Sequence, residues 1–276
     1  MNPAKSALGR LSPAIIGKFT TFSACFDSHG KYINWNTANA FLDHMKAFKP
    51  DLCIHGGDAF DFSCLRSAAT PEEKGLAILD DVDEGLNFLG LMKPTHFIRG
   101  NHDDRIYEKL NFVDARLEAQ RDNDPMERTS KATSALEALG ASDVLGRIKD
   151  LFKKCKTIEI PYKRGSSLKV GQQHFAHGMF CGDSAAKKMA EQYCGNVLFG
   201  HIHCFDSATL PNVQRWIGQS VGDLADDERM DYQRKQPRSL KHENGWVYGA
   251  ISKKTGQCYY VLARNVGGVW FTPDIR

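Results

Sequence analysis

The sequence predicts an α/β protein built around a partly parallel β-sheet. Between about residues 18 and 110, apolar strands and amphipathic helices alternate in the order strand, helix, strand, helix, strand. This order is typical of βαβαβ units, in which each helix connects two parallel strands. After residue 156 the pattern changes to short strands separated by glycine, which indicates a second group of strands.

Three strands and two helices are predicted before residue 104. Residues 36–48 place Phe41, Met45 and Phe48 on one face, which indicates an amphipathic helix. Pro71 suits the first position of a second helix, where the N–H that proline lacks would have no partner. The strands are predicted at Lys18–Phe26, Asp51–His55 and Thr95–Arg99.

The rest of the chain divides into a helical part and a strand-rich part. Residues 104–156 are predicted as mostly helical, with a break at 122–125, and we expect a helical insertion beside the functional site. Residues 204–276 are expected to complete a second sheet, in a single domain spanning 1–276. The later elements are predicted at Thr157–Ile160, Ser167–Val170, His174–Ala176, Val197–Phe199, Val213–Ile217, Trp246–Ile251 and Cys258–Leu262 as strands, and at Ser184–Tyr193 as a helix.

Composition excludes several classes of protein. The 276 residues are 42% hydrophobic and 25% charged, which are ordinary globular values and exclude a disordered, collagen-like or coiled-coil chain. A net charge of +3 argues against a whole-surface nucleic-acid binder and leaves room for a local basic patch. No uncharged stretch reaches the ~18 residues of a membrane span. The eight cysteines form no C-x-x-C pair, so we expect free thiols in a cytoplasmic protein.

Polar clusters follow five of the predicted strands. In open α/β sheets, ligands bind beyond the carboxyl ends of the strands, so we expect these clusters to meet. Asp, His and Asn are donors that suit Mn, Fe, Zn, Ni or Mg better than soft Cu(I). Seven such donors exceed the needs of one ion, which predicts two adjacent divalent metal ions sharing one carboxylate. The clusters are Asp27-Ser28-His29, Asp58 to Asp61, Asn101-His102-Asp103, His177-Gly178 and His201-Ile202-His203.

The order of these clusters resembles the calcineurin-like metallophosphoesterase superfamily. Its motifs D-x-H, G-D-x-x-D, G-N-H-D, H-G and G-H-x-H all occur here, between about residues 19 and 205. The resemblance implies a four-layer α/β/β/α metallophosphoesterase sandwich with two mixed β-sheets. It also implies hydrolysis of a phosphate ester by in-line attack of a hydroxide held between two metal ions.

The resemblance implies a role for each motif residue. The first metal would be held by Asp27, His29, Asp58 and His203. The second would be held by Asp58, Asn101, His177 and His201. The catalytic residues would be His102, which protonates the leaving oxygen or binds the phosphate, and Asp103, which orients the His102 ring.

Two further residues are left with alternatives. Arg105 either binds a substrate phosphate together with Asn101 and His102, or it caps the following helix. Asp61 either hydrogen-bonds a metal ligand or caps the turn after its strand.

The motifs favour a phosphodiester as substrate. The protein phosphatase branch of the superfamily has G-D-x-x-D-R-G, whereas this chain has Phe62 at the arginine position. The ending G-N-H-D, with Asp103, resembles phosphodiesterases, nucleotidases and nucleases. We therefore expect a phosphodiesterase acting on a nucleic acid or nucleotide with manganese, and with no membrane or obligatory protein partner. The alternatives are a phosphomonoesterase and a non-catalytic metal-binding scaffold.

Two basic segments bear on the substrate. Residues 147–164 hold seven basic and two acidic side chains, and residues 229–241 are also rich in arginine and lysine. Such segments either contact phosphates along a nucleic acid or form solvated faces. Residues 232–248 loosely resemble the C-terminal block of phage-encoded members, for which the host cytoplasm would be the site of action.

Overall fold

The computed structural model describes residues 17–66, 78–108, 110, 141–230 and 241–275. Within these ranges, five helices and twelve strands are found. The helices are α1 (Trp35–Phe48), α2 (Ile78–Met92), α3 (101–108), α4 (Ala141–Cys155) and α5 (Ala185–Tyr193). Helix α1 begins after Asn34, whose side chain accepts hydrogen bonds from the amides of Asn36 and Thr37 and so satisfies two N–H groups of the first turn.

The first sheet contains seven strands. They are β1 (Phe19–Cys25), β2 (Leu52–His55), β3 (His96–Ile98), β4 (Ile158–Ile160), β10 (Gly245–Ser252), β11 (Cys258–Val266) and β12 (Val269–Phe271). Their order across the sheet is β12-β11-β10-β1-β2-β3-β4. Strands β1 to β4 are parallel, and β10 pairs antiparallel with β1, so the sheet is mixed.

The second sheet contains five strands. They are β5 (Leu168–Val170), β6 (Gln173–Ala176), β7 (Asn196–Phe199), β8 (Ser207–Thr209) and β9 (Ile217–Ser220). Their order is β5-β6-β7-β9-β8. The three central strands are parallel and both edge strands are antiparallel. The predicted parallel βαβαβ beginning and the second group of strands are therefore both confirmed.

The two sheets pack face to face with helices on both outer sides. Phe22 of β1 and Phe175 of β6 meet between the sheets, with ring centroids 4.9 Å apart. On the outside of the first sheet, Phe41 of α1 and Phe88 of α2 are fully buried. On the outside of the second sheet, Met189 of α5 is fully buried. This is the expected four-layer α/β/β/α arrangement, and it is held by apolar burial on every sheet face.

The C-terminal region is distributed differently from the prediction. Only β8 and β9 join the second sheet, whereas β10, β11 and β12 extend the first sheet beyond β1. Trp246 and Tyr248 of β10 pack under α1, and Val247 and Ile251 pack between the sheets. The expectation that 204–276 completes the second sheet is therefore wrong for 245–271. A strand buried on both faces fits a central position, and β10 occupies one between β1 and β11.

One predicted strand is displaced along the chain. Val213 was expected in a strand, but it is 97% exposed in a turn, and β9 begins at Ile217. Arg215 has a φ of 51°, in the left-handed region, which ends any extended run through 213–217.

The expected helical insertion is described in part. Helix α4 packs on α2 in the outer layer of the first sheet, through a cluster that includes Ile106 and Phe152. Residues 111–140, which contain the predicted break, and Pro71 lie outside the described residues. A role of 104–156 in capping the site stays a prediction. Among the described helices, none is long and apolar enough to cross a membrane.

Candidate metal centre

The predicted metal-binding residues lie beyond the carboxyl ends of strands in both sheets. Asp27, Asp58 and Asn101 follow β1, β2 and β3, while His177 and His201 follow β6 and β7. Because these strands are parallel within each sheet and the sheets face each other, their side chains meet at one edge of the sandwich. Within the described residues, four groups of His and Asp side chains are close enough to share an ion, and two of them consist of predicted ligands: Asp27, His29 and His203 in one, and Asp58, His177 and His201 in the other. The remaining two groups are His29, Asp61 and His102, and His203, Asp223, Asp227 and His242.

The first group is built from two imidazoles and one carboxylate. The Nε2 atoms of His29 and His203 are 3.1 Å apart. Asp27 Oδ1 lies 3.6 Å from the Nε2 of His203 and 3.9 Å from that of His29. All three side chains are buried. Three donor atoms thus face one point inside the protein.

The second group is centred on Asp58. Its Oδ2 lies 3.1 Å from His177 Nε2, and the same nitrogen lies 3.0 Å from Asn101 Oδ1. The Oδ2 atom of Asp58 also lies 4.0 Å from His29 Nε2, which belongs to the first group. Asp58 therefore stands between the two groups, as expected for a shared carboxylate.

The donor atoms fit divalent cations. Asp27 Oδ1 is buried without a hydrogen-bond partner. The Nε2 atoms of His29 and His203 face each other with room for only one proton between them, and loss of that proton leaves both lone pairs free to bind a cation. Buried carboxylate oxygen and imidazole nitrogen are the ligand types of first-row metal ions. The residues present therefore suit the metals that the sequence predicts.

Backbone strain is concentrated at this site. A positive φ is uncommon for residues other than glycine and persists where the surrounding structure holds it. Five of the seven predicted metal-binding residues have φ between 50° and 74°, whereas four of the six other described non-glycine residues with positive φ directly follow the end of a helix. These five are Asp27, His29, Asp58, His201 and His203. The concentration of strain indicates that side-chain placement here outweighs local backbone preference.

Glycine is required where the loops after β2 and β3 touch. A Cβ atom on Gly100 would collide with the carboxylate and amide nitrogen of Asp58. Gly57 has a φ of 106°, and a Cβ there would collide with His177 and with the backbone of Gly100. These two glycines therefore allow the carboxylate of Asp58 to approach both neighbouring strand ends.

His102 is held by Asp61. Its Nδ1 lies 2.9 Å from the carbonyl oxygen of Asp61 and 3.1 Å from Oδ1 of the same residue. That Oδ1 also lies 3.0 Å from His29 Nδ1, so one carboxylate oxygen orients two imidazoles. His102 Nε2 then lies on the side of Asp58, 3.9 Å from its Oδ2. Of the two alternatives for Asp61, contact with a predicted metal ligand is the one found.

Asp103 does not orient His102, so that prediction is wrong. Oδ2 of Asp103 accepts hydrogen bonds from the amides of Asp58 and Gly100, and Oδ1 accepts one from Phe60. Burial and the charge of Asp58 raise the pKa of Asp103 to about 7. The carboxylate ties the loop after β2 to the loop after β3. The prediction rested on the fact that Asp103 is next to His102 in the chain. At the start of a helix, however, the side chains of consecutive residues point in different directions.

Arg105 lies close to the same loop. Its Nη1 donates a 2.7 Å hydrogen bond to the carbonyl oxygen of Asp61, and the residue sits within α3. This contact fastens the loop that carries Asp61. A contact between Arg105 and a substrate phosphate stays a prediction.

The pKa values of the buried ionisable groups at the metal centre are shifted in different directions. Burial would raise the pKa of Asp58, but His177 and His102 hold it well below its usual range. Burial would lower the pKa of His177, but Asp58 outweighs burial and raises it to about 9. Burial lowers the pKa of His201 to about 3, so this ring is neutral at pH 7. A metal ion bound by His177 must therefore displace a proton, whereas His201 is ready to bind.

Three residues around His203 were missed by the sequence analysis. His203 Nδ1 lies 3.1 Å from Asp223 Oδ2 and 3.0 Å from Asp227 Oδ1, and the latter lies 3.1 Å from His242 Nδ1. These carboxylates hold the imidazole from the side away from Asp27. Asp223 follows β9, and a strand placed at 217–220 instead of 213–217 would have shown it as another polar residue at a strand end.

The first prediction concerns the effect of metal binding on thermal stability. Adding Mn²⁺ to protein treated with EDTA should raise the melting temperature by about 5 °C or more at saturation. The shift should be larger at pH 8.5 than at pH 6.5, because His177 gives up its proton near pH 9. Differential scanning fluorimetry checks this, with sodium chloride of equal ionic strength as the control. Equal shifts at both pH values would contradict the assignment of His177.

Comparison with known proteins agrees with the motif order. A family model described as calcineurin-like phosphoesterase matches residues 24–205, about two thirds of the chain. The matched range begins before Asp27 and ends after His203, so it contains both groups of the metal centre. A search of curated proteins returned no significant match.

Proposed function

The chain belongs to the calcineurin-like phosphoesterase family, and from this premise we propose that it hydrolyses a phosphodiester of a nucleic acid or nucleotide. Family membership indicates a metal-dependent phosphohydrolase with a phosphate ester as substrate. We further propose that the protein uses two divalent metal ions. Manganese is the preferred candidate, and iron, zinc, nickel and magnesium are the alternatives. The proposal also keeps the cytoplasm as the place of action.

The position of Asp58 between two groups of donors is the observation that carries the proposal. Asp27, His29 and His203 would hold one ion with Asp58, while Asn101, His177 and His201 would hold the other with Asp58. Two such ions, when bound, supply Lewis acidity to the phosphate oxygens and lower the pKa of an attacking water.

The surrounding residues supply orientation and a proton. Asp61 fixes Nδ1 of His102 and leaves Nε2 directed towards Asp58. A proton on that Nε2 would pass to the leaving oxygen as the ester bond breaks. Asp103 and Gly100 keep the loops of Asp58 and Asn101 in contact, so that the phosphate meets a rigid set of groups.

The presence of Phe62 favours a phosphodiester as substrate over the phosphomonoester of a phosphoprotein. The protein phosphatase branch has arginine at this position of the motif, where it binds the doubly charged monoester with a bidentate fork. Here Phe62 is buried and stacks on Phe60, with ring centroids 5.3 Å apart. No guanidinium is therefore supplied from this position, which favours the lower charge of a diester.

Paired chromogenic esters test the proposal. With Mn²⁺, we expect kcat/KM for bis(p-nitrophenyl) phosphate to exceed that for p-nitrophenyl phosphate by about tenfold, because a monoester brings an extra charge that Phe62 cannot bind. Release of p-nitrophenol measures both rates on the same preparation. EDTA-treated protein is the control for metal dependence. Faster hydrolysis of the monoester would contradict the proposal.

A further inference from the structure

A basic cavity of about 510 Å³ opens beside the metal centre. Its walls come from the loop after β4, the loop after β6 and one face of α5. It is lined by Arg164, Gly165, Phe180, Lys188, Glu191 and Gln192. Its size suits one nucleotide-sized group better than a base pair, because ligand pockets of this volume enclose most of a small molecule.

Two walls of the basic cavity are attached to the second metal group. Tyr162 donates a 3.1 Å hydrogen bond to the carbonyl oxygen of Gly178, and its ring lies 5.9 Å from that of His177. On the other wall, Cys181 Sγ lies 3.1 Å from His201 Nε2. Arg164 therefore lies two residues after Tyr162, and Phe180 lies directly before Cys181, so both are close in the chain to side chains that contact the metal centre.

The charge of the basic cavity is positive. Arg164 and Lys188 are exposed, and neither forms an ion pair with any residue that the structure describes. Glu191 is paired with Lys187 at 3.8 Å, which offsets its charge. Lys188 Nζ stands over the ring of Phe180, 5.8 Å from its centroid. The cavity thus combines two available cations with one aromatic side chain.

A second cavity, lined by both chain neighbours of His203, has the opposite charge. This cavity of about 390 Å³ is lined by Asp183, Asp206 and Glu243, together with Lys241 and His242. Lys241 is paired with Asp183 at 3.1 Å. A polyanion would be repelled by the second cavity and attracted towards Arg164 in the basic cavity. The charges therefore favour a strand that runs from the metal centre into the basic cavity.

We propose that the basic cavity binds the nucleotide next to the scissile phosphate of a single-stranded nucleic acid. Arg164 and Lys188 contact its phosphate, and its base stacks on Phe180 in place of the Lys188 side chain. An aromatic ring binds any base through its face, and only an unpaired base exposes that face. This inference rests on the proposed function, because it places the metal centre at the neighbouring phosphodiester.

Charge variants test the phosphate contacts. The probe is a fluorescein-labelled, phosphorothioate-linked oligo-dT dodecamer, which resists hydrolysis, and its binding to the Mn²⁺-loaded protein is measured by fluorescence anisotropy. The double variant Arg164→Gln/Lys188→Gln should weaken binding about tenfold and lower the slope of log affinity against log salt by about 1.4. The control Lys153→Gln/Lys154→Gln removes equal charge from the exposed face of α4 and should leave both unchanged.

Phe180 variants test the stacking. Phe180→Leu keeps apolar bulk against the core under α5 and should weaken binding about tenfold without changing the salt slope. Phe180→Tyr should restore affinity, because it keeps the aromatic face. Melting temperatures of both variants show whether the fold is retained, and a loss of affinity equal in Leu and Tyr variants would overturn the stacking.

The outcomes separate this inference from the proposed function. Equal affinity and salt slope in the two charge variants would overturn the basic cavity as the binding site, even if bis(p-nitrophenyl) phosphate is hydrolysed. Equal affinity for a duplex dodecamer would overturn the single-stranded substrate. Oligonucleotide binding through Arg164 and Lys188, without hydrolysis of any phosphodiester, would support the inference and contradict the proposed function.

Discussion

Asp58→Ala should lose both metal ions and all measurable turnover. The carboxylate of Asp58 lies between the two groups of donors, 3.1 Å from His177 Nε2 and 4.0 Å from His29 Nε2. Residues that merely orient metal ligands change affinity about 10–100-fold, so a shared ligand should cost more than about 100-fold. Elemental analysis after dialysis against a metal buffer measures occupancy, and ester turnover is measured on the same samples.

Asp58→Asn separates the charge from the backbone contact. Asp58 Oδ1 accepts a 2.7 Å hydrogen bond from the amide of His102, and an asparagine oxygen can keep this bond. We expect Asp58→Asn to remain folded in EDTA, with a melting temperature below the wild-type value because the charge pair with His177 is lost, and still to lose metal. Asp43→Ala is the control, because this carboxylate is 74% exposed and pairs with Lys46 on the surface. Full metal content in Asp58→Asn would contradict the bridging position.

His102→Ala should keep both metals and lose about 10²–10⁴-fold in kcat, the usual contribution of a positioned proton donor. The ring contacts Asp61 and lies near Asp58, but it is not needed to complete either group of donors. Metal content and melting temperature should therefore stay near the wild-type values. Near-normal turnover of His102→Ala would refute the role of this residue.

Leaving groups distinguish the two roles left open for His102. A proton donor matters most when the leaving alkoxide is strongly basic, whereas a phosphate-binding group matters equally for every ester. We expect His102→Ala to lose more activity on a dinucleotide, whose leaving group is a basic alkoxide, than on bis(p-nitrophenyl) phosphate, which releases the weakly basic p-nitrophenolate. Asp61→Asn should reproduce part of this difference, because Asp61 fixes Nδ1 of the ring. Equal losses on all esters would indicate phosphate binding.

Much of the metal centre could be predicted from local patterns of apolar and polar residues in the sequence. Apolar runs that stop at Asp27, Asp58, Asn101, His177 and His201 mark strand ends, and the rule for parallel sheets brings such ends together. Neither step requires knowledge of which strand pairs with which. The structure brings six of the predicted metal-binding residues together in two groups, and the seventh, Asn101, contacts His177 of the second group.

The partners of the histidines could not be predicted in the same way. Nδ1 of His102 is held by Asp61, 41 residues away, whereas the carboxylate of the next residue, Asp103, accepts hydrogen bonds from backbone amides. Likewise, Asp223 reaches His203 because β9 lies beside β7, and its strand was predicted four residues too early. Hydrogen bonds between loops depend on side-chain direction, which periodicity does not encode.

The alternation of elements, the apolar faces and the polar strand ends could all be predicted from the sequence, because they follow from local propensity and burial. Three features became visible only in the folded protein: β10 joins β1 in the first sheet, Asp61 and not Asp103 holds His102, and Arg164, Lys188 and Phe180 line one cavity. Each of these depends on pairing between distant segments. Such pairing is selected by the packing of the whole chain, and the local sequence of a strand or a loop does not identify the segment with which it will pair.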